Sequence, residues 1–174
     1  PLHGRELVIG VTGGIAAYKA AELTREIVRQ GGVVKVVMTR NAREFITPLT
    51  METLSGHRVH TDMFDPVREH EIDHIALARW AELLIVAPAT ANFIGKVAGG
   101  IADDLLTTVV MATRAPVLVC PAMNDAMWEN PVIGENIGKL RRLGYAVIEP
   151  AHGDLACGTE GKGRLSDLTE ILER

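Results

Sequence analysis

The stretch Pro116-Val117-Leu118-Val119-Cys120 is apolar throughout and runs directly into Pro121-Ala122-Met123-Asn124. A strand with one wet face would alternate polar and apolar residues. A run with no polar residue needs apolar cover on both faces, which a parallel sheet flanked by helices provides. The expected fold is therefore α/β. Pro121 ends the run, so Asn124 lies just past the carboxyl end of a strand, where open α/β sheets bind their ligands. There an Asn amide can hold a substrate, with Met123, Met127 and Trp128 as apolar walls. A Pro-Asn turn with Met and Trp in the core satisfies the same local pattern.

Further runs repeat the arrangement. Glu6–Val11 reads as a first strand, Thr12-Gly13-Gly14 as a tight turn, and Ile15 to Gln30 as a helix that places Ala16, Ala20, Leu23 and Ile27 on one face. Gly31-Gly32 ends the helix, and Val33–Met38 is a second strand. This βαβ opening lets backbone N–H groups at a glycine turn and a helix N-terminus approach a phosphate; a purely structural turn is the other reading. It is not GxGxxG, and Thr39-Arg40-Asn41 stands where a dinucleotide fold would put an acidic residue. Hydroxyl and amide groups there suit a phosphate-bearing ligand other than NAD. A third strand, Glu82–Ala87, ends in Pro88-Ala89-Thr90-Ala91-Asn92, whose small residues let a flat ring approach the backbone.

Between these elements, residues 42–56 read as helical but broken at Pro48, and residues 57–64 as a short strand or loop. A helix opens at His74, with Asp73 as its N-cap. On spacing alone, His74 is either a capping or surface residue or a functional one. Residues 92–98 and 102–112 are expected to be helical, separated by Gly99-Gly100. Asp103-Asp104 falls in a first helical turn, which favours a helix-dipole role over metal binding; no metal is expected. A helix from about Asn130 to Leu143 and a strand from Tyr145 to Ile148 follow. Residues 150–164, with four glycines, have no core-forming pattern and read as a structureless lid. The lid carries Cys157, read as chemical, whereas Cys120 reads as a small buried hydrophobe. A final helix covers Ser166 to Arg174.

The composition agrees with one globular domain: 174 residues, 47% hydrophobic and 23% charged. A net charge of −4 gives no footprint for nucleic acid, and two Cys imply no disulfide framework. No apolar run reaches the roughly 18 residues that a membrane helix needs, and the N-terminus lacks the apolar core of a signal peptide. A cytoplasmic setting is expected. Position 1 is Pro rather than Met, which suggests a chain trimmed or excised from a longer one.

Five motifs in order carry a resemblance over nearly the whole chain: Gly13-Gly14-Ile15-Ala16-Ala17-Tyr18-Lys19, His74-Ile75, Pro88-Ala89-Thr90-Ala91-Asn92, Pro121-Ala122-Met123-Asn124 with Met127-Trp128, and Ala156-Cys157-Gly158. Together they resemble the homo-oligomeric flavin-containing cysteine decarboxylases. The resemblance implies a single-domain, flavodoxin-like doubly wound parallel sheet that binds FMN. It implies decarboxylation of 4′-phosphopantothenoylcysteine to 4′-phosphopantetheine in coenzyme A biosynthesis. It further implies trimers or dodecamers with flavin sites at subunit contacts. The missing Met and abrupt end make the N-terminal half of a bifunctional protein, with a phosphopantothenate–cysteine ligase domain beyond it, the expected context. By motif, His74 resembles the family's base, Asn124 the amide that holds the substrate carboxylate, and Cys157 the final proton donor. Met123, Ala156 and Gly158 belong to the substrate segments. Gly14, Ile15, Ala16, Thr39 and Asn41 match the FMN phosphate and ribityl region, and Thr90, Ala91, Asn92 and Ala122 the segments around the ring.

Flavin prenyltransferases share the fold and FMN site but lack this combination of His-Ile, Pro-Ala-Met-Asn and Ala-Cys-Gly. Hal3-like phosphatase regulators carry long acidic extensions that are absent here. An electron carrier of flavodoxin type would leave Asn124, Cys157 and the lid unexplained.

Overall fold

The structure, a computed structural model, describes residues 2–64 and 73–174. Among the described residues, five parallel strands form one sheet: β1 (Glu6–Val11), β2 (Val33–Met38), β3 (Leu83–Ala89), β4 (Val117–Pro121) and β5 (Ala146–Val147), in the order β2-β1-β3-β4-β5. That order is the flavodoxin-like doubly wound one, and its direction reverses between β1 and β3. The expected bounds of β1 and β2 hold. β3 and β4 each extend into the proline that was expected to end them, with a register shift between Val86 and Ala89. Proline is tolerated there because the ladder is already breaking at the strand end.

The apolar runs are apolar because successive residues face two separate cores. Val8, Leu84, Val86, Val117 and Val119 pack on one side of the sheet. Leu7, Ile9, Ile85, Leu118 and Cys120 pack on the other. The first core is covered by α3 (Asp73–Trp80), α4 (Ala91–Gly99), α5 (Leu105–Ala112) and α7 (Pro131–Arg142); α1 (Ala17–Arg29), α2 (Pro48–Ser55) and α8 (Leu168–Glu173) cover the second. Gly10 has a packing reason to be glycine, since a Cβ there would come within 2.5 Å of the Leu106 side chain. Cys120 is fully buried, as expected, and desolvation pushes its thiol up to about 12. Among the described residues, no helix is long and apolar enough to cross a membrane.

Several expectations change. Helix α1 starts at Ala17, two residues later than expected, leaving Gly13 to Ala16 as an open turn. The break at Pro48 is a helix start: Thr47 caps α2 and Pro48 takes the first position, where its missing N–H costs nothing. Residues 57–64 form a loop with a single parallel bridge from His60 to Val37. Asp73 is itself helical, in the first turn of α3, rather than a flanking cap. The two acidic residues before α5 act separately: Asp104 caps the helix in a reciprocal box with Thr107, and Asp103 pairs with Lys96 at 2.9 Å.

The largest correction concerns the lid. Residues 150–164 are ordered as an antiparallel hairpin, β6 (Ala151–Asp154) with β7 (Glu160–Arg164). Apolar alternation is missing because the hairpin packs through its backbone. The Met123 N–H donates to the Gly163 carbonyl at 2.9 Å. A Cβ at Gly163 would sit 2.1 Å from the Met123 carbonyl oxygen. Lys162 pairs with Glu149, which also takes Arg141 at 3.2 Å, so a small charge network ties β7 to α7.

Candidate active site

The carboxyl ends of β1, β3 and β4, with the hairpin over them, border a half-open cavity of about 640 Å³. The topology puts it there: β1 and β3 flank the switch point, and the helices that follow them diverge to opposite faces. Gly13, Gly14, Ile15 and Ala16 form one wall. Gly13 lies against the chain after β2, where a Cβ would approach Asn41 Cβ to 2.4 Å. Helix α1 has no side-chain cap and no acidic residue in its first turn. The Ala17 and Lys19 N–H groups already donate to the Gly14 and Ala16 carbonyls at 2.9 Å, so what this end offers an anion is chiefly the positive end of the helix dipole beside an open glycine turn.

Thr90, Ala91 and Asn92 line a second wall. Buried Thr12 aligns the first two walls. Its hydroxyl donates to the Pro88 carbonyl at 2.6 Å and accepts from the Thr90 N–H at 3.0 Å, binding the end of β1 to the end of β3. The Thr90 hydroxyl in turn caps α4 through the Phe93 N–H.

The third wall comes from Ala122, Met123, Asn124 and Met127. Asn124 is the N-cap of the short helix α6 (Asp125–Trp128). Its Oδ1 accepts from the backbone N–H groups of Ala126 at 2.9 Å and Met127 at 3.3 Å. Flipping the amide would point NH₂ at two donors, so the cap fixes which end faces the cavity. The free end, Nδ2, donates to Cys157 Sγ at 3.5 Å. Trp128, expected as a wall, packs against the core instead.

The hairpin tip supplies Leu155, Ala156 and Cys157. Cys157 Sγ also lies 3.1 Å from Thr159 Oγ1. The Thr159 hydroxyl, then the Thr159 backbone N–H, then Asn124 lower the thiol's pKa below its ordinary value. This is the polar, exposed setting in which a thiol is acidic, opposite to that of Cys120. The cavity also holds charge: Lys19 and Arg164 face it with Asp154. Desolvation, then the like charge of Arg164, lower the Lys19 pKa.

Most residues singled out from the sequence thus meet in one place: Gly14, Ile15 and Ala16; Thr90, Ala91 and Asn92; Ala122, Met123 and Asn124; Ala156 and Cys157. Others do not line the cavity. Gly158 sits behind Cys157 with φ +84°, a conformation that favours glycine. Asn41 borders Gly13, and the Thr39 hydroxyl accepts from the Ala42 N–H at 3.2 Å. His74 lies on α3, half-buried, and its Nδ1 is buried with no hydrogen-bond partner among the described residues. Lys19, Asp154, Arg164 and Thr159 were missed. Only Lys19 left a signal, being the last residue of the Gly13–Lys19 motif.

The strand order, the helix terminus without a side-chain cap and the half-open cavity define a doubly wound α/β protein with a site receptive to an anion. The sequence profile of the Flavoprotein family matches residues 1–174, and the chain belongs to that family. It is 51% identical over 172 residues to the coenzyme A biosynthesis bifunctional protein CoaBC of Bacillus subtilis, an overlap of 99% of this chain and 42% of that protein. The chain therefore spans less than half the length of this curated relative. Among solved structures it resembles the FMN-dependent cysteine decarboxylase SpaF, with TM-score 0.87, 34% identity, and 99% and 95% of the two chains covered. It also resembles a cysteine-to-serine mutant of PPC decarboxylase complexed with pantothenoylaminoethenethiol, with TM-score 0.86, 29% identity, and 98% and 96% coverage.

Proposed function

We propose that this chain is an FMN-dependent decarboxylase of 4′-phosphopantothenoylcysteine, acting in coenzyme A biosynthesis. The observation that carries the reading is the meeting of three features in one cavity: the uncapped glycine turn, the Asn124 amide and the Cys157 thiol. The residues fit the cofactor. Gly13 to Ala16 would take its phosphate, with Asn41 beside Gly13, and the small side chains of Ala91 and Ala122 leave room for a flat ring. Lys19 and Arg164 give the cavity the positive charge that a phosphate-bearing substrate needs.

The substrate ends in a cysteine carboxylate. Direct loss of CO₂ would leave a carbanion with no electron sink. When bound, FMN would supply the two-electron chemistry that takes the CH₂–SH group to a thioaldehyde and later returns the electrons. Asn124 Nδ2 donates to the carboxylate and orients the breaking C–C bond. The new C=S takes that bond's electrons, giving an enethiol. Cys157 then gives a proton to one enethiol carbon while a hydride reaches the other, so no net oxidation remains. The hairpin tip lies over these atoms, with Cys157 still open to solvent on its outer side.

His74 acts as the base in the oxidative step, from a neighbouring copy in a homotrimer, itself a unit of larger assemblies. Its place outside the cavity lined by this chain's described residues supports that arrangement. The length of the relative supports a partner ligase domain, phosphopantothenate–cysteine ligase, in the same polypeptide. The test is direct: the purified protein is yellow, releases FMN on denaturation, and liberates CO₂ from 4′-phosphopantothenoylcysteine. A colourless protein that FMN cannot reconstitute overturns the reading.

A further inference from the structure

The proton donor assigned to Cys157 raises the question of what holds its sulfur once the proton has gone. The hairpin tip answers it. The Leu155 N–H donates to the Thr159 carbonyl at 2.8 Å, and the Gly158 N–H to the Leu155 carbonyl at 2.9 Å. With Gly158 at φ +84°, this closed turn brings residues 157 and 159 to the same side. Cys157 Sγ and Thr159 Oγ1 come to 3.1 Å, and Asn124 Nδ2 reaches the same sulfur from the opposite element at 3.5 Å.

Resting on the proposed role of Cys157, we propose that Thr159 is the positioning residue for the thiol: its hydroxyl fixes Sγ beside Asn124 and donates to the sulfur when Cys157 gives up its proton. In the thiol form either atom of the pair can donate. A thiolate has no hydrogen, so the Thr159 hydroxyl must then be the donor, and the contact becomes charge-assisted and stronger. A partner that binds the charged form better than the neutral one makes the thiol a stronger acid.

Asn124 Nδ2 is also the group that meets the substrate carboxylate. Its two hydrogens let it serve the carboxylate and the sulfur together, so Thr159 and Asn124 hold Sγ from two sides. The atoms balance: the S–H proton moves to carbon, its bonding pair stays on sulfur, and the exposed thiolate is reprotonated from water.

The test uses the flavin-loaded protein and the pH dependence of its alkylation by iodoacetamide, located by peptide mass spectrometry. Of the two cysteines, Cys120 is buried and Cys157 exposed, so the reaction reports Cys157. Thr159→Val keeps the shape and removes the donor. It moves the alkylation profile to higher pH, slows alkylation severalfold near neutrality, and accumulates the enethiol during turnover. Thr159→Ser restores all three. A Thr159→Val profile that overlays the wild type overturns the proposal, as does failure of the Ser variant to rescue. If Cys157→Ser instead makes normal product at full rate, the proton-donor reading fails, while the alkylation result still decides whether Thr159 partners the sulfur.

Discussion

Asn124 Nδ2 donates a hydrogen bond to Cys157 Sγ across 3.5 Å, joining a loop at the end of β4 to the tip of the β6–β7 hairpin. The amide can make this contact because its oxygen is already committed to capping α6. A structural cap and a substrate contact are thus two ends of one side chain, and they separate cleanly under mutation.

Asn124→Asp keeps the cap, since a carboxylate oxygen accepts the same N–H groups. It replaces the cavity-facing donor with a negative charge. Set against a substrate carboxylate, that costs about 3 kcal/mol, or roughly 100-fold in binding. Titration with substrate should reveal the loss while thermal stability and FMN content stay near wild type. Unchanged substrate affinity would mean that the carboxylate is held elsewhere.

Cys157→Ser should oxidise and decarboxylate the substrate and then stall, because a hydroxyl is a far weaker acid than a thiol. Mass spectrometry should find a product two hydrogens short of normal, with the flavin left bleached. Cys120→Ser should complete the reaction, since that thiol is buried away from the cavity.

His74→Asn should lower turnover by about 10²–10⁴-fold, the usual contribution of an acid–base group, with a normal flavin spectrum. If His74 serves a neighbouring copy, co-assembling His74→Asn and Cys157→Ser subunits should regain activity that neither has alone. No recovery in mixed oligomers would place both groups in the same subunit or remove His74 from the chemistry.

Gly163→Ala tests the docking of the hairpin. The added Cβ would lie 2.1 Å from the Met123 carbonyl oxygen, a backbone atom that no rotamer change can move aside. Overpacking of this kind costs about 1–3 kcal/mol. Limited proteolysis should cut residues 150–164 faster and turnover should fall, while FMN stays bound. A hairpin equally resistant in the variant would show that its charge network with Glu149 is enough to hold it.

The strands and the loops at their carboxyl ends were legible in the sequence because a doubly covered parallel strand needs an unbroken apolar run, and such runs are local. Their ends placed Gly14, Thr90 and Asn124 at one edge of a sheet before any contact was known. The hairpin was not legible. Its order rests on backbone bonds and close glycine contacts with Met123, which leave no hydrophobic period to read. The pairing of Cys157 with Asn124 and Thr159, the cavity-facing Lys19 and Arg164, and the position of His74 away from that cavity were likewise decided only by the tertiary structure. Each depends on how distant segments cross in space, and side-chain type along the chain carries no measure of that distance.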